Sequence, residues 1–380
     1  MHDHEGRVIP AKLNRRALIE LTALSAIVPA FSSPLAEEEP AKKFRVDPDW
    51  PRPLPTDAGP GHRREWITGE VAGSAVDAND NVWIVSRRNL TATELLAGAP
   101  SPAVMAFNPK GEVIQAWPER GSALEAGLPN GLHGIFVDYQ GFVWIAGNAD
   151  AFVQKYTQDG HLVMQIGTKG QFDSSDGTAA GTPLNTSHTK LNRPSDVAVD
   201  PTNGDVYISD GYGNHRVVVF DRNGNYLRQW GEAGTLAEAQ AGAPAKFRGT
   251  VHGVNIGADA LVYVNDRAGD RIQVFMKNGT FVRNIWTSNG IPIGQGSAGS
   301  AWDLAFSADK RQTFIYSTDG DQQITSTIDH SSGDTVARMG RSGHMAGEFT
   351  FLHTITVDSK GTLYTAETIG GRRVQKFHKD

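Results

Sequence analysis

The sequence predicts an all-β fold, a six-bladed β-propeller, on three observations. Short β-branched runs alternate with turn formers, the pattern recurs six times, and most copies continue into strands that end in an aromatic residue. It is clearest from Arg193 to Trp230, where VAV, VYIS and RVVVF are split by PTNG and DRNG. One such four-stranded sheet cannot bury both faces alone. Radial repetition covers the faces and leaves only short strand edges.

Taken in order, the copies align on the acidic or small residue that closes the first strand. They are EVAGSAVDANDNVWIVS from Glu70, LHGIFVDYQGFVWIAG from Leu132, RPSDVAVDPTNGDVYISD from Arg193, VHGVNIGADALVYVND from Val251, AWDLAFSADKRQTFIYSTD from Ala301 and LHTITVDSKGTLYTAE from Leu352. Third strands follow as VMAF, FVQKY, RVVVF, RIQVF and RVQKF, and fourth strands end at Trp117, Trp230 and Trp286. The last copy stops one strand short, near Phe377. The missing strand is expected from upstream, either Arg64 to Thr68 or Phe44 to Val46, closing the ring like a clasp.

The rest of the chain fits around this ring. Residues 1–36 read as an export leader: Arg15 and Arg16 precede a short apolar stretch, Leu21 to Phe31, in a pattern resembling a twin-arginine signal. The stretch is too short to span a bilayer, so the expected product is exported, periplasmic or extracellular, and free of the membrane after processing. Residues 37–63 read as a polar, Pro-rich linker crossing the propeller surface, and residues 64–380 as the propeller. A net charge of -6 without a Lys/Arg stripe argues against nucleic acid as a partner. The absence of cysteine removes disulfides, thiolate nucleophiles and zinc-thiolate sites together.

Reading one position across all six blades is the informative step. Five residues before the aligned strand closure, where the innermost strand begins, stand Ala72, His133, Ser195, His252, Trp302 and His353. Histidine occupies every second blade. Alternate positions of a six-fold ring lie about 120° apart, so three imidazoles point at one place on the axis. That is a three-nitrogen metal site with open coordination, the arrangement of catalytic zinc. A three-imidazole site also accepts other divalent transition metals. His161, His188, His215, His330 and His344 follow no such pattern and read as surface residues.

The exits of the second strands supply the other candidates. Arg87 in VSRRN and Arg267 in NDRAG share one aligned position in opposite blades, and Tyr212 stands between two glycines in DGYGN. Two guanidiniums beside a metal suit a carboxylate or oxyanion. A phenol beside cations is a fitting proton acceptor. Asp210, Asp266, Asp319 and Glu367, at the same exits, read as acceptors for turn amides, and Asp196 as a carboxylate tying a loop.

These segments resemble the peptidyl-α-hydroxyglycine α-amidating lyase family, a six-bladed propeller of NHL-type repeats. GSAVDANDNVWIVSRR, PSDVAVDPTNGDVYISDGYGNHRVVVF, VHGVNIG with NDRAGDRIQVF, and LHTITVD carry the likeness, which runs from about residue 65 to 377. The resemblance implies zinc on His133, His252 and His353, a catalytic Tyr212, and site arginines at Arg87 and Arg267. It also implies cleavage of the C–N bond of a carbinolamide to an amide and a glyoxylate-like aldehyde. The substrate would be a small molecule or peptide with a carbinolamide or carboxylate group, and the protein a monomer. A structural calcium is in doubt, because Thr354 stands where the family has an acidic ligand. Phe351 replaces a methionine of the animal enzymes, and Gly213 replaces a cysteine beside the tyrosine. Two other readings stay open: a metal-dependent hydrolase or lactonase on the same scaffold, and a non-catalytic NHL binding module.

Overall fold

Pairing of each β-branched run with the next builds six antiparallel four-stranded sheets, in a computed structural model that describes residues 43–57, 64–296 and 298–380. The expected export leader lies outside the described residues. Blade 1 comprises Val71–Val76, Val82–Ser86, Val104–Phe107 and Val113–Trp117. Blade 2 comprises Leu132–Val137, Val143–Gly147, Phe152–Tyr156 and Leu162–Gly167. Blade 3 runs from Asp196–Val199 to Tyr226–Trp230, blade 4 from Val251–Ile256 to Phe281–Trp286, and blade 5 from Asp303–Phe306 to Thr335–Met339. First strands of successive blades pack side by side around a shared channel. The predicted propeller is the observed one.

The sixth blade decides between the two proposed clasps. Leu352–Val357, Leu363–Glu367 and Val374–Lys379 are completed by Phe44–Asp47, with Phe44 opposite Lys379 and Asp47 opposite Lys376. The propeller therefore starts at Phe44 rather than Arg64. Arg64–Ile67 instead joins Thr56–Asp57 and Ala99–Pro100 in a small separate sheet. Part of the expected linker belongs to the core: Trp50 is buried against Phe107 and Tyr364, with ring centroids 5.6 and 5.0 Å away.

Where the first strand is closed by an acid, that acid has a chemical reason to be there. Asp77 accepts the amides of Asn79 and Asn81 at 2.8 and 3.0 Å, and its other oxygen accepts Trp83 Nε1 at 3.0 Å. Asp138 does the same for its turn and for Trp144 Nε1, at 2.9 Å. Asp358 repeats it with Tyr364 as the ring donor. One carboxylate thus fixes the turn and satisfies the polar atom of an aromatic ring buried between blades, where the ring's apolar area contributes about 2–3 kcal/mol.

In blades 3, 4 and 6 a second carboxylate holds the loop leading into the inner strand. Asp266 accepts the Arg248 amide at 2.8 Å and Glu367 the Thr350 amide at 2.7 Å, while buried Asp210 accepts Asn192 N at 2.7 Å. Each is paired in turn with the arginine that opens the third strand: Arg216 to Asp210 at 3.0 Å, Arg271 to Asp266 at 2.8 Å, Arg373 to Glu367 at 2.7 Å. Asp319 accepts the amides of Asp321 and Gln322. The role read for these acids from sequence is the one observed.

Candidate metal centre

The three histidines stand at breaks in strand register, as Ala72 does in blade 1. In blades 2, 4 and 6 the inner strand slips against its neighbour at the histidine, between Leu132 and Ile135, Val251 and Val254, and Leu352 and Thr354. A bulge of this kind turns a side chain off the regular alternation. The loops entering these strands are fixed by Asp150 on Asn130 N at 3.2 Å, and by Asp266 and Glu367 as above.

His133, His252 and His353 meet on the axis. They are 2 to 3% exposed, their ring centroids lie 4.7 to 4.9 Å apart, and one nitrogen from each falls within 4.8 Å of the others. Three nitrogens about 2.1 Å from one tetrahedral ion would lie roughly 3.4 Å apart, so the rings have to draw together to hold one. Small side-chain rotations close the difference.

Their tautomers are set by the blades between them. His133 Nδ1 lies 2.8 Å from the Ser195 carbonyl, and His252 Nδ1 lies 2.6 Å from that of Trp302. A carbonyl only accepts, so each Nδ1 carries the proton and Nε2 keeps its lone pair for a ligand. His252 Nε2 is buried without a partner, a costly state unless something binds there. His353 faces the Ala72 carbonyl in the same pattern, outside hydrogen-bond geometry, and its Nδ1 is unpartnered. Burial holds all three rings neutral: it pushes His133 and His252 well below the ordinary imidazole range and His353 down to about 3, with the charges of Arg87 and Arg267 adding to the effect. Neutral, buried, convergent imidazoles could hold a metal, and the donor set fits zinc.

The structure brings Tyr212 and Arg267 to this cluster. The Tyr212 hydroxyl lies 3.0 Å from His133 Nε2, and Arg267 Nη1 donates to it at 3.2 Å. Gly211 and Gly213 make the approach possible. A Cβ on Gly211 would lie 1.9 Å from the Val251 carbonyl oxygen, and one on Gly213 would lie 2.1 Å from Asn192 Oδ1. Arg267 also stacks 4.7 Å over Trp302, so the blade 5 ring residue, which the sequence reading left without a role, seats this guanidinium. Arg87 donates Nε to the Leu132 carbonyl at 2.9 Å, next to His133, and its Nη1 is already paired with Glu70. It is thus less free than its position suggested.

Two sequence readings change, and one neighbour of the site was not foreseen. Asp196 ties no loop: it accepts Val254 N of blade 4 at 3.3 Å, as Asp303 accepts Ile355 N of blade 6 at 3.0 Å, and both line a channel cavity of about 250 Å³. Burial, with Asp303 nearby, raises Asp196 well above the carboxylate range, and burial lifts Asp303 to about 7. His330 is not a free surface residue but is held between Tyr263 Oη and the Gln312 carbonyl. Arg193, absent from the expected site, lies 5.8 Å from the Tyr212 ring. At the expected calcium position the Thr354 hydroxyl is spent on Ser74, 2.9 Å away.

An NHL repeat model matches residues 191–220. Human NHL repeat-containing protein 3 is 27% identical over 350 residues, spanning 88% of this chain and 84% of its own. Rat peptidylglycine alpha-amidating monooxygenase is 26% identical over 284 residues, 67% of this chain but 26% of that protein. A probable peptidyl-alpha-hydroxyglycine alpha-amidating lyase of Caenorhabditis elegans is 27% identical over 246 residues, 64% of this chain and 62% of its own. Among solved structures, a streptogramin B lyase superposes with a TM-score of 0.52 at 12% identity, over 89% of this chain and 98% of that one. A Bacteroides thetaiotaomicron protein of unknown function gives 0.56 at 15%, over 90% of this chain and 77% of that one. These two likenesses speak for the fold alone. The chain thus carries an NHL repeat on a six-bladed β-propeller, and its relatives include amidating lyases and NHL repeat-containing protein 3.

Proposed function

We propose that the protein is a metal-dependent lyase that breaks the C–N bond of an α-hydroxyglycine-type carbinolamide, releasing an amide and a glyoxylate-like aldehyde. The observation that carries this reading is the Tyr212 hydroxyl, placed between His133 Nε2 of a neutral three-imidazole cluster and the Arg267 guanidinium. The distant likeness to amidating lyases supports it.

His133, His252 and His353 would hold the ion, zinc by the chemistry of the donors, which when bound supplies a Lewis acid for the substrate hydroxyl. Tyr212 takes the hydroxyl proton as the carbonyl forms. The electrons of the C–N bond leave on nitrogen, which is protonated to the free amide. Arg267, aligned by Trp302, binds the substrate carboxylate and steadies negative charge as it develops. Arg87, tethered to the His133 strand, adds positive field from the opposite side.

The test is metal analysis of the purified protein together with glyoxylate release from α-hydroxyhippurate, run beside a panel of lactones and esters. Stoichiometric metal with glyoxylate formation supports the lyase. Hydrolysis of the panel without glyoxylate would replace it with a hydrolase, and a protein that retains no metal would leave a binding module.

A further inference from the structure

Arg193 is a third guanidinium at the site, and it is built differently from the other two. Its φ is 62°, in the left-handed region that a non-glycine residue enters only at a cost. That conformation is held from three sides: Arg193 N donates to the Asp150 carbonyl at 2.9 Å, its own carbonyl accepts Tyr212 N at 3.1 Å, and its Nε donates to the Asn148 carbonyl at 2.8 Å. The guanidinium carbon then lies 5.8 Å from the centre of the Tyr212 ring.

The rest of the guanidinium is left open. Arg87 is paired with Glu70 and bonded to the Leu132 carbonyl, and Arg267 donates to Tyr212 and Thr250. Among the described residues, neither Nη of half-buried Arg193 has a hydrogen-bond or ion-pair partner. A strained backbone that fixes a charged fork beside the catalytic phenol, with both terminal donors unused, is a recognition element awaiting an anion.

Its anchoring says which anion. Arg267 reaches the Tyr212 hydroxyl at 3.2 Å and Arg87 is anchored at the Leu132 carbonyl beside His133, so the carboxylate next to the reacting carbon falls to them. Arg193 lies almost as near the Tyr212 ring, 5.8 Å against 5.5 Å for Arg267, but it makes no bond to the hydroxyl and is tied through Nε to the Asn148 carbonyl of blade 2 instead. A group bonded several atoms away from the reacting carbon, on the amide side of the bond, reaches that place.

We propose that Arg193 is a specificity residue for a second carboxylate on the acyl portion of the substrate, so that the enzyme favours dicarboxylic N-acyl-hydroxyglycines over neutral ones. This rests on the lyase reading for which end of the ligand faces the histidines.

The test uses binding, so that it does not depend on turnover. Titration calorimetry on the metal-loaded protein compares N-succinylglycine, with two carboxylates, and N-acetylglycine, with one. A charge-assisted pair is expected to give the succinyl ligand an advantage of about tenfold or more in the natural protein. In Arg193→Gln that ratio falls to about one, and in Arg193→Lys it is partly restored. No preference in the natural protein, or one that survives in Arg193→Gln, overturns the proposal. So does an equal loss for both ligands, which would make Arg193 a support for Tyr212 and nothing more. If the ratio behaves as expected while α-hydroxy derivatives yield no glyoxylate, the Arg193 assignment stands and the lyase reading falls.

Discussion

The hydroxyl of Tyr212 lies 3.0 Å from Nε2 of His133, the nitrogen that would face an ion held by the cluster. The phenol is therefore already beside the place where a metal-held substrate hydroxyl would sit. It gets there through a turn pinned by two glycines, not through a flexible arm.

Replacing Tyr212 by Phe removes one oxygen and keeps the ring that packs on His133. We expect the variant to retain its metal, measured by elemental analysis, and to lose turnover by about 10²–10⁴-fold, the range of a positioned general base. Undiminished glyoxylate release would remove Tyr212 from the chemistry.

His252 carries an unpartnered buried Nε2, so its energetic return comes only when a ligand arrives. His252→Asn should abolish stoichiometric metal and activity together. Added zinc should raise the Tm of the natural protein and leave that of the variant unchanged. A variant that still binds one equivalent of zinc tightly would argue for a different ligand set.

Acid should find this centre first. The three imidazoles refuse protons in the fold, His353 down to about pH 3, whereas in the unfolded chain they titrate near 6.5. The histidines' share of the stability of the metal-free protein is thus complete above that pH and falls as pH drops below it, by up to about 1.4 kcal/mol per histidine per pH unit, while the raised carboxyls of Asp196 and Asp303 act in the opposite direction. Thermal melts from pH 8 to 5 on the metal-free protein should show His353→Asn losing less stability toward acid than the natural protein. Parallel slopes would mean that His353 is not held neutral.

Gly213→Ala adds one methyl where Asn192 Oδ1 and the Asn192 carbonyl oxygen would be 2.1 and 2.7 Å away. Backbone has to move, and with it Tyr212. The expected outcome is a loss of about 1–3 kcal/mol in urea unfolding and a disproportionate loss of kcat. A fall in stability alone, with kcat intact, would show that the turn does not position the phenol.

Much of this was legible because a propeller converts sequence position into angle. Once six copies were aligned, histidine in alternate blades had to converge, and Tyr212 and Arg267 fell at strand exits beside them. The carbonyls of Ser195 and Trp302 that set the tautomers were invisible, because every residue has a carbonyl and only the fold says which one faces a ring. Arg193 was missed because a left-handed arginine leaves no mark on the hydrophobic pattern. The clasp was ambiguous for a physical reason. FRVD and REWI are equally short and alternate equally well; what separates them is packing, with Phe44 edge-on to Tyr316 at 5.5 Å.

The pairing of Phe44–Asp47 with Val374–Lys379 has a consequence for the order of events during synthesis. The ring cannot shut until the last strand has left the ribosome, and the blade it seals is the one that brings His353. A chain stopped before Leu352 offers two imidazoles and an open edge, so tight capture of an ion would report that the sixth blade is in place.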